Sequence, residues 1–288
     1  MIFNHLNKEN NKKVNLFIIG VNKAGTSWLH FLLEKHPDIY MSKLKEHYYF
    51  GREYPNQLEK YHSYFPFEKP YTYFGESTHL YNQSKEAAEQ IKKYCPEAKL
   101  FAIVRDPIER LISQFYFQKQ TGVISEKTTL EEILFDPTTP LIIESHYERS
   151  MPMYRELFDE NQFKILSLEE CNKDHDTSWQ SIQEFLKLDT IPLPPAPDSK
   201  ENATGGKLFR SLYRATIKPI KTNFPNLYGK LMQNEFVHWT KNQLLNILGT
   251  AKKDTLSTEL IEKLKKEFAP TYAYLAELGY GKAYNRND

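Results

Sequence analysis

Apolar residues fall in two rhythms along the chain. Short apolar runs at Leu16–Ile19 and, after its first lysine, at Lys99–Val104 have the length and β-branched content of buried strands, and Gln162–Leu168 reads as another strand. Ile39–Leu44 and Tyr73–His79 read as a short strand and as a strand end with its turn. Between these runs the spacing changes to three and four. Leu29, Leu32 and Leu33 predict a helix to about His36, stopped by Pro37. Ala87, Ala88, Ile91 and Tyr94 predict another over 84–94, stopped by Pro96. Leu111, Ile112, Phe115 and Tyr116 predict a third after Val104. Further helices are expected at Glu131–Phe135, at Ile142–Phe158 with a break at Pro152, at Trp179–Leu186 and at Leu260–Leu278. Residues 51–73 carry aromatics, charges and prolines without a long period, and 1–14 form a polar, flexible lead-in. Strands alternating with helices imply an α/β fold around a parallel sheet. The expectation is a single domain over 1–288, with 198–288 mostly helical.

Composition narrows the function classes. A net charge of +1 over 288 residues gives no footprint for nucleic acid. No apolar run approaches membrane-spanning length, and the polar N-terminus has no apolar signal core. Two cysteines, Cys95 and Cys171, make no disulfide framework and no metal-ligand cluster. A soluble, cytoplasmic protein without a metal is expected.

The candidate chemistry starts at the end of the first strand, in Gly20-Val-Asn-Lys-Ala-Gly-Thr-Ser-Trp28. A strand, a loop with two glycines and a helix start make an anion cradle: converging N–H groups, the helix dipole, the hydroxyls of Thr26 and Ser27, and the charge of Lys23. Gly20 and Gly25 have the spacing of a nucleotide-triphosphate loop, but Thr26 occupies the lysine position and the lysine has moved inside the loop to Lys23. Glu46, in Lys45-Glu-His-Tyr-Tyr-Phe50, is a carboxylate against aromatics and a candidate general base. His79 is the runner-up and His47 the third choice. Arg105 ends the Lys99–Val104 run. Asp106, Pro107 and Glu109 then spell a capping box with proline at the first helical position.

These segments together resemble the sulfotransferases that use 3′-phosphoadenosine-5′-phosphosulfate (PAPS). Lys-x-Gly-Thr before an apolar helix resembles their 5′-phosphosulfate loop. Arg105-Asp-Pro, with Ser113 eight residues after the arginine, resembles their 3′-phosphate segment. His36 to Phe50 resembles the segment carrying the catalytic glutamate of the carbohydrate sulfotransferases related to the heparan sulfate enzymes. Gly-Glu-Ser-Thr resembles the next strand end, where the animal enzymes usually place a lysine and this chain has Ser77. The resemblance implies a P-loop-like three-layer sandwich and sulfuryl transfer from PAPS, leaving adenosine-3′,5′-bisphosphate. It implies donor binding by Lys23, Ala24, Gly25, Thr26, Ser27, Trp28, Arg105 and Ser113, and catalysis by Glu46 and Lys23. A late basic loop would add Lys207 and Arg210. The acceptor would be a hydroxyl or amine of a carbohydrate or of a small natural product. Two other classes stay open on the residues alone: a P-loop small-molecule kinase, with Asp106 as its only near match for magnesium, and a non-catalytic nucleotide-binding protein.

Overall fold

The computed structural model describes residues 13–134, 140–195, 207–224 and 256–284. Five strands form one sheet: β1 (Leu16–Gly20), β2 (Ile39–Met41), β3 (Tyr73–Ser77), β4 (Lys99–Val104) and β5 (Phe163–Ser167). Every pairing is parallel and the order is β2-β3-β1-β4-β5. Every residue of β1 is buried, as expected for a central strand covered on both faces. Leu16 and Ile18 pack into a core with Leu29 and Leu33 of α1 (Thr26–Glu34) and with Trp179 and Ile182 of α10 (His175–Leu186). Phe17 meets Phe50, whose ring meets Tyr94 of α3 (Lys85–Tyr94). Helices and aromatics thus sandwich the sheet, as the pattern implied.

The strand order places the topological switch beside β1. The chain leaves β1 toward β2 on one side and leaves β4 toward β5 on the other. In open parallel sheets the crevice at such a point, at the carboxyl ends of the strands, is where ligands bind.

Contacts divide the chain into two compact units. The first comprises the described residues up to Val104 together with Arg149–Pro194, and it holds all five strands. Within it α2 (Leu58–His62) is the only helix between 51 and 73 among the described residues. Ser84 caps α3 through its hydroxyl. The expected helix over 142–158 divides. Its last part is α8 (Pro152–Leu157), so Pro152 starts a helix, where its fixed φ and missing donor cost nothing. A short α9 (Leu168–Lys173) follows β5 directly, and α10 begins at His175 behind the Asp174 cap, earlier than expected.

The second unit comprises Arg105–Glu148 and the described residues from Pro195 on. Its spine is α4 (Pro107–Thr121). Asp106 accepts from the Glu109 amide at 2.8 Å, and Pro107 opens the helix, as the capping box required. Leu111 and Phe115 of α4 form a core with residues of α5 (Leu130–Leu134), α6 (Pro140–Ile143) and α12 (Thr258–Glu267). A short α7 (Tyr147–Ser150) begins at the end of this part of the chain. The expected last helix breaks at Phe268 into α12 and α13 (Ala269–Glu277), with Pro270 in the first turn of the latter. A final turn, α14, spans Gly281–Tyr284.

One expectation is corrected here. The late basic segment is not a loop from Lys207 onward but a helix, α11 (Lys207–Asn223). Its leucines, arginines, alanine and lysines are good helix formers. Residues 198–206 lie outside the described residues.

Candidate active site

At the end of β1 the register with β4 shifts between Ile18 and Gly20, a bulge that re-aims the chain into the anion loop. Gly20 has φ 148°, and a Cβ there would lie 2.9 Å from the Asn82 amide carbon and 3.0 Å from the His79 carbonyl. Only glycine lets the loop start this close to the turn after β3. Lys23 holds a left-handed φ of 66°, and Gly25 caps α1 at φ 103°. No side chain among the described residues caps α1, so the first amides of the helix, at Thr26 and Ser27, face the loop with its dipole. Trp28 is partly buried against the core and lies beside His175, with ring centroids 5.7 Å apart. Ala24 is buried.

Register brings the neighbouring strand ends to the same edge. Ile18 pairs with Ser77, and the Thr78 amide donates to the Ile18 carbonyl at 3.0 Å. Beyond β2 the Ser42 amide donates to Gly75 at 2.8 Å and the Glu46 amide to Ser77, also at 2.8 Å. Glu46 is therefore stitched to the end of β3 by its own backbone, at a left-handed φ of 63°. Its carboxylate faces the first residue of the 3₁₀ helix His79–Gln83. His79 Nδ1 lies 2.8 Å from Glu46 Oε2, and the His79 amide donates to the same oxygen at 3.1 Å. Both side chains keep part of their surface in water, 29% for Glu46 and 20% for His79. The two rival bases of the sequence are thus one hydrogen-bonded pair. Tyr48 closes one side: burial and the Glu46 carboxylate push its hydroxyl pKa up, and the Arg52 guanidinium stacks on its ring at 4.4 Å.

Lys45 turns the other way and donates to Ser27 Oγ at 2.7 Å, which adds a second lysine to the start of α1. Burial holds its pKa below the usual lysine range. His30, one turn further along α1, lies 2.8 Å from Ser77 Oγ. Burial, with Lys45 and His47 adding, pushes the His30 pKa down to about 3, so the ring is neutral. His47 lies 2.8 Å from Ser42 Oγ and is boxed by Tyr61, Tyr64 and Phe65. Burial brings it down to about 4 despite Glu46 nearby, so it is unsuited to accept a proton and return it near neutrality. Sequence reading missed His30 and the link from Lys45 to Ser27. The spacing of His30 from Thr26, one helical turn, was the available signal.

The remaining candidates belong to the second unit. Arg105 follows β4 directly; its guanidinium donates to Glu109 at 3.3 Å and its carbonyl accepts from the Tyr147 hydroxyl at 2.9 Å. Ser113 is half-buried on the second turn of α4. Lys207 is the first residue of α11. Arg210 is buried and grips the Glu126 carboxylate with Nε at 2.8 Å and a terminal nitrogen at 2.7 Å, while Arg214 adds a third contact at 3.1 Å. The hydrogen bond from Arg210 is the main reason the Glu126 carboxyl sits below its usual range. Asp106, the one near match for a magnesium carboxylate, caps α4 and accepts from the Tyr272 hydroxyl at 3.0 Å.

Comparison with known proteins bears on the family and the fold. The model of the sulfotransferase domain matches residues 13–276. The membrane-associated sulfotransferase kil1 of Dictyostelium discoideum is 36% identical over 112 residues, 37% of this chain and 23% of that protein. Heparan sulfate glucosamine 3-O-sulfotransferase 5 of Mus musculus is 29% identical over 182 residues, 59% of this chain and 52% of that protein. The chain therefore spans between a quarter and about half of the length of these relatives. The crystal structure of a sulfotransferase from Alicyclobacillus acidocaldarius superposes with a TM-score of 0.55 at 22% identity, covering 75% of this chain and 96% of the other, which shows the shared fold. No described helix is long and apolar enough to cross a membrane. With an all-parallel sheet and the domain model matched over nearly the whole chain, the chain belongs to the sulfotransferase family.

Proposed function

We propose that the protein transfers a sulfuryl group from PAPS to a hydroxyl or amine of a carbohydrate or small-molecule acceptor, with Glu46 as general base and His79 as its partner. The observation that carries the reading is the Glu46–His79 pair, 2.8 Å apart, built on the strand end beside the anion loop. PAPS, when bound, supplies a sulfuryl group on a phosphate leaving group. The loop fits such an anion: no side chain among the described residues caps the start of α1, and Lys23 stands in the loop just before it. Thr26 and Ser27 hold the phosphosulfate oxygens, Lys23 balances charge that develops on the leaving oxygen, and Lys45, through Ser27, adds a second cation. Arg105 and Ser113 are assigned to the 3′-phosphate. Lys207 is kept as a late donor contact. Arg210 takes that role only by giving up Glu126.

Glu46 receives the acceptor proton on Oε1, and the histidine, holding Oε2 with ring and amide, orients the carboxylate. The similarity to a heparan sulfate enzyme supports a carbohydrate acceptor, and the free, buried Cys95 and Cys171 support a reducing, cytoplasmic setting. The kinase reading loses support because Asp106 already holds a helix cap and a tyrosine. The test is an acceptor screen with isotope-labelled PAPS, read by mass spectrometry, with Glu46→Gln alongside. A labelled product formed by the wild type and lost in the variant is expected. Magnesium-dependent ATP turnover with no transfer from PAPS would overturn the assignment.

A further inference from the structure

Below the strand-end edge lies a carboxyl group with no part in the chemistry above. Glu76, the last residue but one of β3, is fully buried. Three hydroxyls converge on it. Tyr61 of α2 donates to Oε1 at 2.7 Å, Tyr81 of the 3₁₀ helix donates to the same oxygen at 3.2 Å, and Thr78 donates to Oε2 at 2.8 Å. The Tyr81 hydroxyl is itself an acceptor: the amides of Tyr49 and Phe50 donate to it at 3.1 and 3.3 Å. These amides belong to the segment that carries Glu46. A further backbone tie on that segment is the bond from the Glu46 amide to Ser77, the residue after Glu76, and the side chains of Lys45, Glu46 and His47 add bonds to Ser27, His79 and Ser42.

The tie through Tyr81 depends on the direction of one O–H bond. While Glu76 accepts, the Tyr81 proton points to the carboxylate and its lone pairs face the two amides. Loss of the charge on Glu76 weakens the bond that fixes this hydroxyl, and with it the hold on the two N–H groups. We propose that Glu76 is a positioning residue for Glu46, acting through Tyr81 on the backbone of residues 45–50; this rests on the reading of Glu46 as the base. The charged and titratable groups around it are Tyr61 from α2, Tyr81 from the 3₁₀ helix, Tyr94 from α3 and the Glu46 carboxylate. Burial raises the Glu76 pKa to about 7 against the pull of its three hydroxyl donors. The loss of that charge therefore falls near pH 7.

The test is amide hydrogen exchange on the full chain, read by mass spectrometry over residues 45–52. Turnover is measured in parallel with the acceptor found in the screen. Glu76→Gln places an amide in the same volume, and Tyr81→Phe removes the hydroxyl. Each is expected to speed exchange in 45–52 by about tenfold or more while β1 and β4 stay protected. Each is also expected to lower kcat by about tenfold or more at unchanged donor KM. The double variant should be no worse than either single one, because both break the same link. In the wild type, exchange corrected for its intrinsic rate should change with a midpoint near pH 7, and Glu76→Gln should lose that step. Exchange within twofold of wild type in either variant, faster exchange throughout the sheet, or losses that multiply in the double variant would each overturn the proposal. Should Glu76→Gln fail to fold, Tyr81→Phe decides alone. Glu46→Gln separates the two readings: a protected segment with lost turnover supports the base, whereas full turnover removes the base and leaves the exchange result standing.

Discussion

Lys23 and Glu46 hold φ of 66° and 63°, a conformation that costs a non-glycine residue about 1–2 kcal/mol. Two left-handed side chains at the two candidate catalytic positions mean that the surrounding structure aims them at a cost in stability. Lys23→Gly should therefore raise stability by up to about 1 kcal/mol, measured by denaturant unfolding, while turnover collapses. Lys23→Ala should cut kcat by about a hundredfold or more with a modest loss of donor affinity, because the lysine acts on charge that appears in the transition state. A variant with normal kcat and weak donor binding would reduce Lys23 to a binding charge. For the base, Glu46→Gln should keep donor affinity and lose about a hundredfold or more in kcat. His79→Ala should lose about tenfold, since its ring supports the carboxylate it touches. A dead His79→Ala beside an active Glu46→Gln would reverse the roles.

The elements that carry these side chains were legible in the sequence to the extent that their causes are local. The α4 cap could be read from Asp106, Pro107 and Glu109 because all its partners lie within four residues. The buried β1 and β4 could be read from their unbroken apolar runs. The links from Lys45 to Ser27 and from Glu76 to Tyr61 could not, because each joins residues more than ten positions apart, and only the strand register decides who meets whom. The late basic segment misled for a different reason: charge and glycine suggested a loop, but its helix-forming stretch from Lys207 won and paired Arg210 with Glu126. Close packing around the loop gives a sharp expectation. Gly20→Ala must place a methyl group about where the Asn82 amide and the His79 carbonyl already sit, on a backbone at φ 148°. It should destabilise the fold by about 1–3 kcal/mol or more and weaken binding of adenosine-3′,5′-bisphosphate, measured by calorimetry.

Across the molecule, buried ionisable groups set how stability follows pH. His30 and His47 titrate near 3 and 4 in the fold, against 6.5 when unfolded. Their contribution is complete above pH 6.5 and is lost as pH falls, at up to about 1.4 kcal/mol per pH unit for each. Glu76 has the opposite sign. Its pKa is near 7 in the fold against 4.5 unfolded, so the fold binds the extra proton and stability declines as pH rises through that window. Two histidines outweigh one carboxyl below 6.5, and the carboxyl acts alone just above, so these groups together place the stability maximum close to pH 6.5. Denaturant midpoints against pH should show it, and His30→Asn should flatten the acid side. The strand order carries a further consequence, for synthesis. β1 lies in the middle of the sheet, yet Leu16 aligns with Gly75 on one side and Lys99 on the other. At ribosomal rates of about 5–20 residues per second, this apolar strand leaves the ribosome roughly 4 to 17 seconds ahead of its second partner. During that interval Leu16–Gly20 has at most its β3 partner, and its other side is an open, apolar edge until β4 arrives.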